Sequence, residues 1–245
     1  MTRRVRKQRG DKKLPVVPRQ PPVASVTKDS TPKKVYLIRH GQSLGQKTPR
    51  NLRKRDPSLI DCGLTDRGRF EATFIPNLLG SKRYDEVDYV VSSPLTRAVH
   101  TSLLGFATKQ IVIHYDLFEV GGGDPIPENQ PRSLKDVLFD VGGKDRVDGL
   151  TFAAPRVSFP ASHATMATNE RKWKMKQAFS DLWNFCQERG CKSIAIVCHF
   201  NVIRTVLPDG HLIHPENAIP MECLLCRNGE LRVVEILDQP HAETI

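Results

Sequence analysis

Residues 39–43 read Arg-His-Gly-Gln-Ser and follow directly on the apolar run Val35-Tyr36-Leu37-Ile38. An imidazole is mostly uncharged near neutral pH and is a competent nucleophile. The guanidinium beside it presents a planar fork of donors that matches phosphoryl oxygens. Arg39 and His40 therefore point to phosphoryl transfer through a phosphohistidine. The plain alternative is a core strand followed by a solvent-exposed Arg-His pair. Such a reaction also needs further cations around the phosphoryl oxygens and an acid for the leaving oxygen. Both residue types recur at the ends of later apolar runs: Arg97 after Ser92-Ser93-Pro94-Leu95-Thr96, Glu119 after Leu117-Phe118, and His199 after Cys198. Asp116 and Asp124 rival Glu119 as the acid. His211 and His214 have metal-like spacing, but no Cys or acid cluster joins them, so no metal is expected.

These residues must be positioned by elements that the hydrophobic pattern outlines. Val35–Ile38, Val87–Val91, Ile111–His114 and Ile194–Val197 are short apolar runs of the kind buried on both faces of a parallel sheet. Ligands of open α/β sheets bind beyond the carboxyl ends of the strands, where the candidate groups lie. Between the runs, Thr65 has the character of a helix N-cap. Phe74, Ile75, Leu78 and Leu79 follow at helical spacing, with Pro76 expected to kink or end that helix. Pro94 suits a first helical position, and that helix is expected to run to about Ala107. Met175, Ala178, Phe179, Leu182, Trp183 and Cys186 form the apolar stripe of an amphipathic helix. A short helix is expected over 202–207, and Asn228-Gly229 between two apolar runs predicts a β-hairpin. From 120 to about 168 no period holds, and the glycines and prolines there predict a long loop insertion. Strands alternating with helices imply a mainly parallel sheet covered on both faces, a three-layer α/β/α sandwich.

The chain of 245 residues fits one large α/β domain. Its charge is uneven. Residues 1–34 hold eleven Lys or Arg and two acids, a net of +9, whereas the remaining residues hold 26 basic and 25 acidic groups. The high pI thus belongs to the amino-terminal arm. Rich in Pro and poor in aromatics, residues 1–33 are expected to form a disordered basic tail, which is either a contact for an acidic partner or an import receptor or a plain solvated arm. Residues 34–240 are expected to form the catalytic domain. No apolar stretch approaches the ~20 residues that span a bilayer, and no amino-terminal secretion signal is evident. Six scattered cysteines read as reduced thiols. The expectation is a cytoplasmic protein, with nuclear import as the alternative, and no membrane partner.

The order Arg-His-Gly (39–41), Ser-Ser-Pro-Leu-x-Arg-Ala (92–98), Leu-x-Glu (117–119) and a His ending a late apolar strand (199) resembles the histidine phosphatase superfamily. The branch it resembles contains cofactor-dependent phosphoglycerate mutases and fructose-2,6-bisphosphatases. Gly63-Leu64-Thr65-Asp66-Arg67-Gly68 is similar to the family's Leu-Thr-x-x-Gly segment, and the likeness covers roughly residues 34–237. The resemblance implies a phosphoglycerate mutase-like fold. It implies that His40 attacks phosphorus, that Arg39, Arg97 and His199 bind the transferred phosphoryl oxygens, and that Glu119 protonates the leaving group and then deprotonates water. Phe118 would help by desolvating the Glu119 carboxyl. It implies no metal and no cofactor. Gln46 stands where relatives place an Asn of the phosphate pocket, Gln42 where many have Glu, and Phe200-Asn201 where a Gly commonly follows the late His.

These features point to a metal-independent phosphatase acting on a phosphorylated small molecule or a phosphoprotein. The segment that follows the acid in mutases is absent, and Glu119 runs instead into Val120-Gly121-Gly122-Gly123. A phosphoglycerate mutase-type phosphotransferase and a non-catalytic phospho-ligand binding protein are the alternatives. The basic residues Lys47, Arg50, Arg53, Lys54 and Arg55 either steer an anionic substrate or form a solvated loop.

Overall fold

The apolar runs become the middle of a seven-stranded sheet in a computed structural model, which describes residues 30–119, 126–152 and 168–238. The strands are β1 (Lys33–Arg39), β2 (Val87–Ser92), β3 (Ile111–His114), β4 (Val147–Phe152), β5 (Ser193–Cys198), β6 (Pro220–Leu225) and β7 (Leu231–Ile236). Their order is β4-β3-β2-β5-β1-β6-β7. The first five are mutually parallel, and β6 and β7 add an antiparallel edge. The basic tail expected over residues 1–33 lies almost entirely outside the described residues.

The helices are α1 (Leu44–Lys47), α2 (Arg50–Arg53), α3 (Asp66–Thr73), α4 (Ile75–Glu86), α5 (Thr96–Gly105), α6 (Leu134–Val141), α7 (Thr168–Arg189) and α8 (Phe200–Val206). Alternate residues of each central strand feed opposite faces, as a pleated strand requires. Val35 and Leu37 of β1, with Ile194 and Ile196 of β5, pack under the stripe of α7 (Met175, Phe179, Leu182, Cys186) and under Val202, Ile203 and Val206 of α8. Tyr36 and Ile38, with Ala195 and Val197, face Ile75 and Leu79 of α4 and Ala98, Val99 and Leu103 of α5. This is the expected three-layer α/β/α sandwich. Among the described residues no helix is long and apolar enough to cross a membrane.

Several local expectations are corrected. Pro76 does not break a helix; it lies in the first turn of α4, where the missing N–H costs nothing. The chain bends before it, at Phe74, and again at Gly80, whose φ of 70° no helix supplies. Pro94 stays in the bend before α5, which starts at Thr96 and stops at Gly105. The aperiodic stretch 120–168 is not all loop. Its described part holds a 3₁₀ turn (Pro127–Asn129), α6 and β4. Ser133 caps α6 by accepting from the Asp136 N–H, and Gly142 ends it at φ 76°. Leu134, Val137, Leu138 and Val141 repeat at helical spacing, but over only two turns. Gly121-Gly122-Gly123 and residues 153–167 lie outside the described residues. The basic stretch after β1 winds into α1 and α2 and a 3₁₀ turn over Pro57–Leu59.

Candidate active site

Sheet order gathers the candidate residues. β5 lies between β2 and β1, so Ser93, His199 and His40 end three adjacent parallel strands. Backbone bonds lock the row: the His40 N–H donates to the Cys198 carbonyl and the Ser93 N–H to the Val197 carbonyl, each at 3.0 Å. The His40 and His199 ring centroids are 5.0 Å apart. Both rings are buried.

The partners of His40 fix its tautomer. Nδ1 lies 2.7 Å from the Gly41 carbonyl oxygen, which can only accept, so Nδ1 carries the proton. Arg97 Nε, which can only donate, lies 3.2 Å from Nε2, so Nε2 holds a lone pair. Burial, then the charge of Arg97, holds the imidazole pKa well below its ordinary value, against the Gly41 bond, with Arg39 and Arg53 adding to the depression. The ring is held neutral with its lone pair on Nε2, the state in which an imidazole can act as a nucleophile.

Arg97 sits in the first turn of α5, fully buried, with its fork held on three sides. Beyond His40, Nη1 donates to the Glu128 carbonyl and Nη2 to Asn129 Oδ1 at 2.8 Å. Asp61 anchors the start of α5: its carboxylate accepts from the Thr96 N–H and hydroxyl, both at 2.8 Å. A guanidinium has five N–H groups; three are engaged with protein, and two remain to meet an oxyanion.

Arg39 leaves the end of β1 and donates through Nη1 to the Pro215 carbonyl at 2.9 Å. Its guanidinium lies 4.9 Å from the centre of the Phe200 ring, a cation–π distance. Burial lowers its pKa, and the nearby Glu119 carboxylate opposes that shift. Glu119 thus belongs to the same electrostatic neighbourhood. His199 Nε2 shares a 2.7 Å hydrogen bond with Ser93 Oγ, while Nδ1 has no hydrogen-bond partner among the described residues. Burial first, then Arg97, His40 and Arg39, hold the His199 pKa well below its ordinary value.

Gln46 lies close by, but its amide is engaged elsewhere. Oε1 accepts from the Ser43 N–H in the capping box of α1, and the amide pairs reciprocally with Asn217 at 3.1 and 3.2 Å. Asn217 then donates to the His40 carbonyl at 2.6 Å. Gln46 braces the backbone of His40 through Asn217. Among the described residues, no group of three or more His, Cys, Asp or Glu is gathered as a metal site.

This arrangement can be compared with known proteins. Residues 35–129, from β1 through α5 to the turn that holds Arg97, match the family model of the histidine phosphatase superfamily (branch 1). Over that stretch the chain is similar to the histidine phosphatase superfamily. No curated protein sequence matches it significantly. Among solved structures, the chain is similar to the ecdysone phosphate phosphatase of Bombix mori in complex with tungstate, at 17% identity and a TM-score of 0.62, over 87% of this chain and 96% of that one. It is similar to a phosphoglycerate mutase of Bacillus anthracis, at 17% identity and a TM-score of 0.55, over 86% and 95% of the two chains. It is also similar to a mutant phosphoserine phosphatase of Entamoeba histolytica in complex with phosphoserine, at 19% identity and a TM-score of 0.52, over 84% and 97%. At these identities the likeness is one of fold.

Several residues that build this candidate site carry no signal readable from the chain alone. Ser93 is one of two adjacent serines, and only the sheet shows which one meets His199. Asn217, Asp61, Glu128 and Asn129 are 177, 21, 88 and 89 positions from His40 and belong to no periodic pattern. The adjacency of Asp61 and Pro127, whose carbonyl accepts the Asp61 N–H at 3.2 Å, exists only in the fold.

Proposed function

We propose that the protein is a metal-independent phosphatase, a phosphoric monoester hydrolase working through a phosphohistidine on a phosphorylated small molecule or phosphoprotein. The observation that carries this reading is the tautomer of His40. The Gly41 carbonyl and the Arg97 N–H both demand a lone pair on Nε2, the His199 ring lies 5.0 Å away, and the charges of Arg97, Arg39 and Arg53 all act on the imidazole. In the first step Nε2 attacks phosphorus and the P–O ester bond breaks. The leaving oxygen takes a proton from the Glu119 carboxyl. The positive charge on the phosphorylated ring is stabilised by the Nδ1–H···O=C bond to Gly41. Arg39, the two remaining N–H groups of Arg97 and Nδ1–H of His199 receive the phosphoryl oxygens; with Ser93 occupying Nε2, Nδ1 is the His199 nitrogen left for that task. In the second step water attacks phosphorus, Glu119 takes its proton, the N–P bond breaks, and His40 returns neutral. Such preorganised donors lower the barrier by several kcal/mol.

The test is turnover of an aryl phosphate in the presence of EDTA, with a quench for an acid-labile, base-stable phosphoenzyme. Both are expected in the wild type and both should be lost in His40→Ala. Isomerisation of a monophosphate that depends on a bisphosphate primer would assign a mutase instead. Phospho-ligand binding with neither turnover nor labelling would assign a binding protein.

A further inference from the structure

Two cysteines meet where α7 ends and the chain turns back into β5. Gly190, at φ 64°, follows the last helical residue, Arg189. The Cys191 N–H then reaches back to the Cys186 carbonyl at 3.0 Å. This is a Schellman end, which folds the residue after the glycine over the last helical turn, and two apolar side chains commonly pack there. Here both side chains are thiols, and they share a hydrogen bond. Cys186 is fully buried in the stripe of α7, and Cys191 is 9% exposed. The Asp88 carboxylate of β2 accepts the Lys192 N–H and pins the turn. A pair of valines would satisfy the packing; two touching thiols bring chemistry besides. They lie beyond the amino end of β5, whose carboxyl end leads to His199, and so stand apart from the site described above.

The two sulfurs are not equivalent. The bond to Cys191, then burial, raises the pKa of the Cys186 thiol. The bond from Cys186 lowers that of the Cys191 thiol, against burial and the charge of Asp88. The proton between them therefore stays on Cys186, and Cys191 is the sulfur that ionises first to the nucleophilic thiolate. Cys191 is also the one nearer solvent. A Cβ at Gly190 would meet nothing within 4 Å, and a cavity of about 440 Å³ lined by Asp88, Tyr89, Gln110, Arg189 and Gly190 opens beside it. A small oxidant can approach from that side, while the second thiol waits in contact with the first.

We propose that Cys191 and Cys186 form a peroxide-oxidisable dithiol, with Cys191 as the reacting thiol and Cys186 as the resolving one. The Cys191 thiolate attacks one oxygen of hydrogen peroxide. An S–O bond forms, the O–O bond breaks, and the departing hydroxide takes up the proton that Cys191 released and leaves as water. The Cys186 sulfur then attacks the sulfenic sulfur. An S–S bond forms, the S–O bond breaks, and the hydroxyl leaves with the Cys186 proton as a second water. The two thiols lose two electrons in all, and the peroxide gains them. A dithiol reductant reverses the change by exchange. Neither step involves His40, so the outcome does not depend on the hydrolase reading.

The test treats the reduced full chain with hydrogen peroxide near neutral pH, removes the excess with catalase, alkylates remaining thiols in urea with iodoacetamide and digests with trypsin. Trypsin cuts after Arg189, between the two cysteines, so only a disulfide leaves residues 177–189 joined to residues 190–192. The linked pair is expected, with a loss of two hydrogens in the intact mass, and dithiothreitol should reverse both. With dimedone present during oxidation, Cys186→Ala should accumulate the Cys191 adduct, whereas in the wild type Cys186 should capture the sulfenic acid first. Cys191→Ala should leave Cys186 unlabelled. Cys226, less buried than the other five cysteines, is the internal standard. The wild-type digest needs no variant, and a cooperative thermal transition shows that each variant is folded. Oxidation of Cys226 while the pair is recovered as free thiols overturns the proposal. So does a linked pair that forms no faster in the folded chain than in one unfolded with urea beforehand, or equal dimedone labelling of Cys191 in the wild type and folded Cys186→Ala.

Discussion

At the scale of single residues, a histidine between arginines serves as a nucleophile only if it stays neutral, and burial with the charge of Arg97 secures this for His40. Its protonation should not limit activity where a free imidazole would titrate. kcat/KM for an aryl phosphate is expected to show no acid limb attributable to His40 near the ordinary imidazole value of 6.5. A limb with a midpoint near 6.5 that vanished in no other variant would contradict this. Phe200 is the second residue-scale case. Its ring is flanked by the guanidinium of Arg39 at 4.9 Å and that of Arg204 at 5.3 Å, and meets His214 edge-on at 5.0 Å. The aromatic face helps orient Arg39, which also donates to the Pro215 carbonyl. Phe200→Leu should lower kcat on an aryl phosphate by about tenfold, as expected for losing a partly desolvated cation–π contact of about 1–2 kcal/mol. Phe200→Trp should retain most of the rate, a rescue that a merely space-filling role would not produce. In the sequence Phe200 stands out only as a bulky residue where relatives have Gly. Its task depends on Arg39 and Arg204 converging from β1 and α8, which no spacing rule encodes.

At the scale of elements, His40, the proposed nucleophile, is placed by a close approach of two backbone segments. A Cβ on Gly41 would lie 2.3 Å from the Gly68 carbonyl oxygen, and one on Gly68 would lie 2.1 Å from the Gln42 carbonyl oxygen. Backbone thus touches backbone where β1 hands over to α1 and where α3 begins, and Thr65 caps α3 by accepting the Gly68 N–H at 3.0 Å. Gly41→Ala must push these segments apart next to His40. It should cost about 10²-fold in kcat, the usual penalty for misplacing a reacting group by about 1 Å, together with a lower Tm. Gly63→Ala is the matched control, because its Cβ would meet only Thr96 Cγ2 at 3.8 Å; its kcat should stay within about twofold of wild type. Long elements with a strong period were legible in the chain: the apolar strands, the stripe of α7 and the Asn228-Gly229 hairpin all stand at their expected places. α6 was not, since two turns between glycines give too few repeats to outweigh the surrounding breakers. β4 was hidden as well, because an edge strand such as Val147–Phe152 needs no continuous apolar run.

At the scale of the whole molecule, the site exists because β5, more than a hundred residues after β2, inserts between β2 and β1. The order of the motifs along the chain was readable; the insertion that turns this order into a row of Ser93, His199 and His40 was not, because strand order is set by packing of both faces rather than by any local pattern. The same burial has a thermodynamic consequence. Burial pushes the imidazole of His114, whose ring nitrogen Nδ1 accepts the Asp116 N–H at 3.3 Å, down to about 4 from its ordinary value of 6.5. His40 and His199 shift in the same direction. A folded pKa below the unfolded one means that the unfolded chain binds the proton more tightly. The folded state therefore loses stability as pH falls through 6.5, and the loss from His114 is complete near pH 4. A shift of this size corresponds to about 3 kcal/mol. Urea midpoints should therefore fall steadily between pH 7 and pH 4, and His114→Gln, which keeps an acceptor for the Asp116 N–H, should flatten that slope by about half or less, since His40 and His199 still contribute. A slope that His114→Gln leaves unaltered would mean that this imidazole does not titrate with unfolding, and the acid sensitivity would then belong to the two histidines of the site.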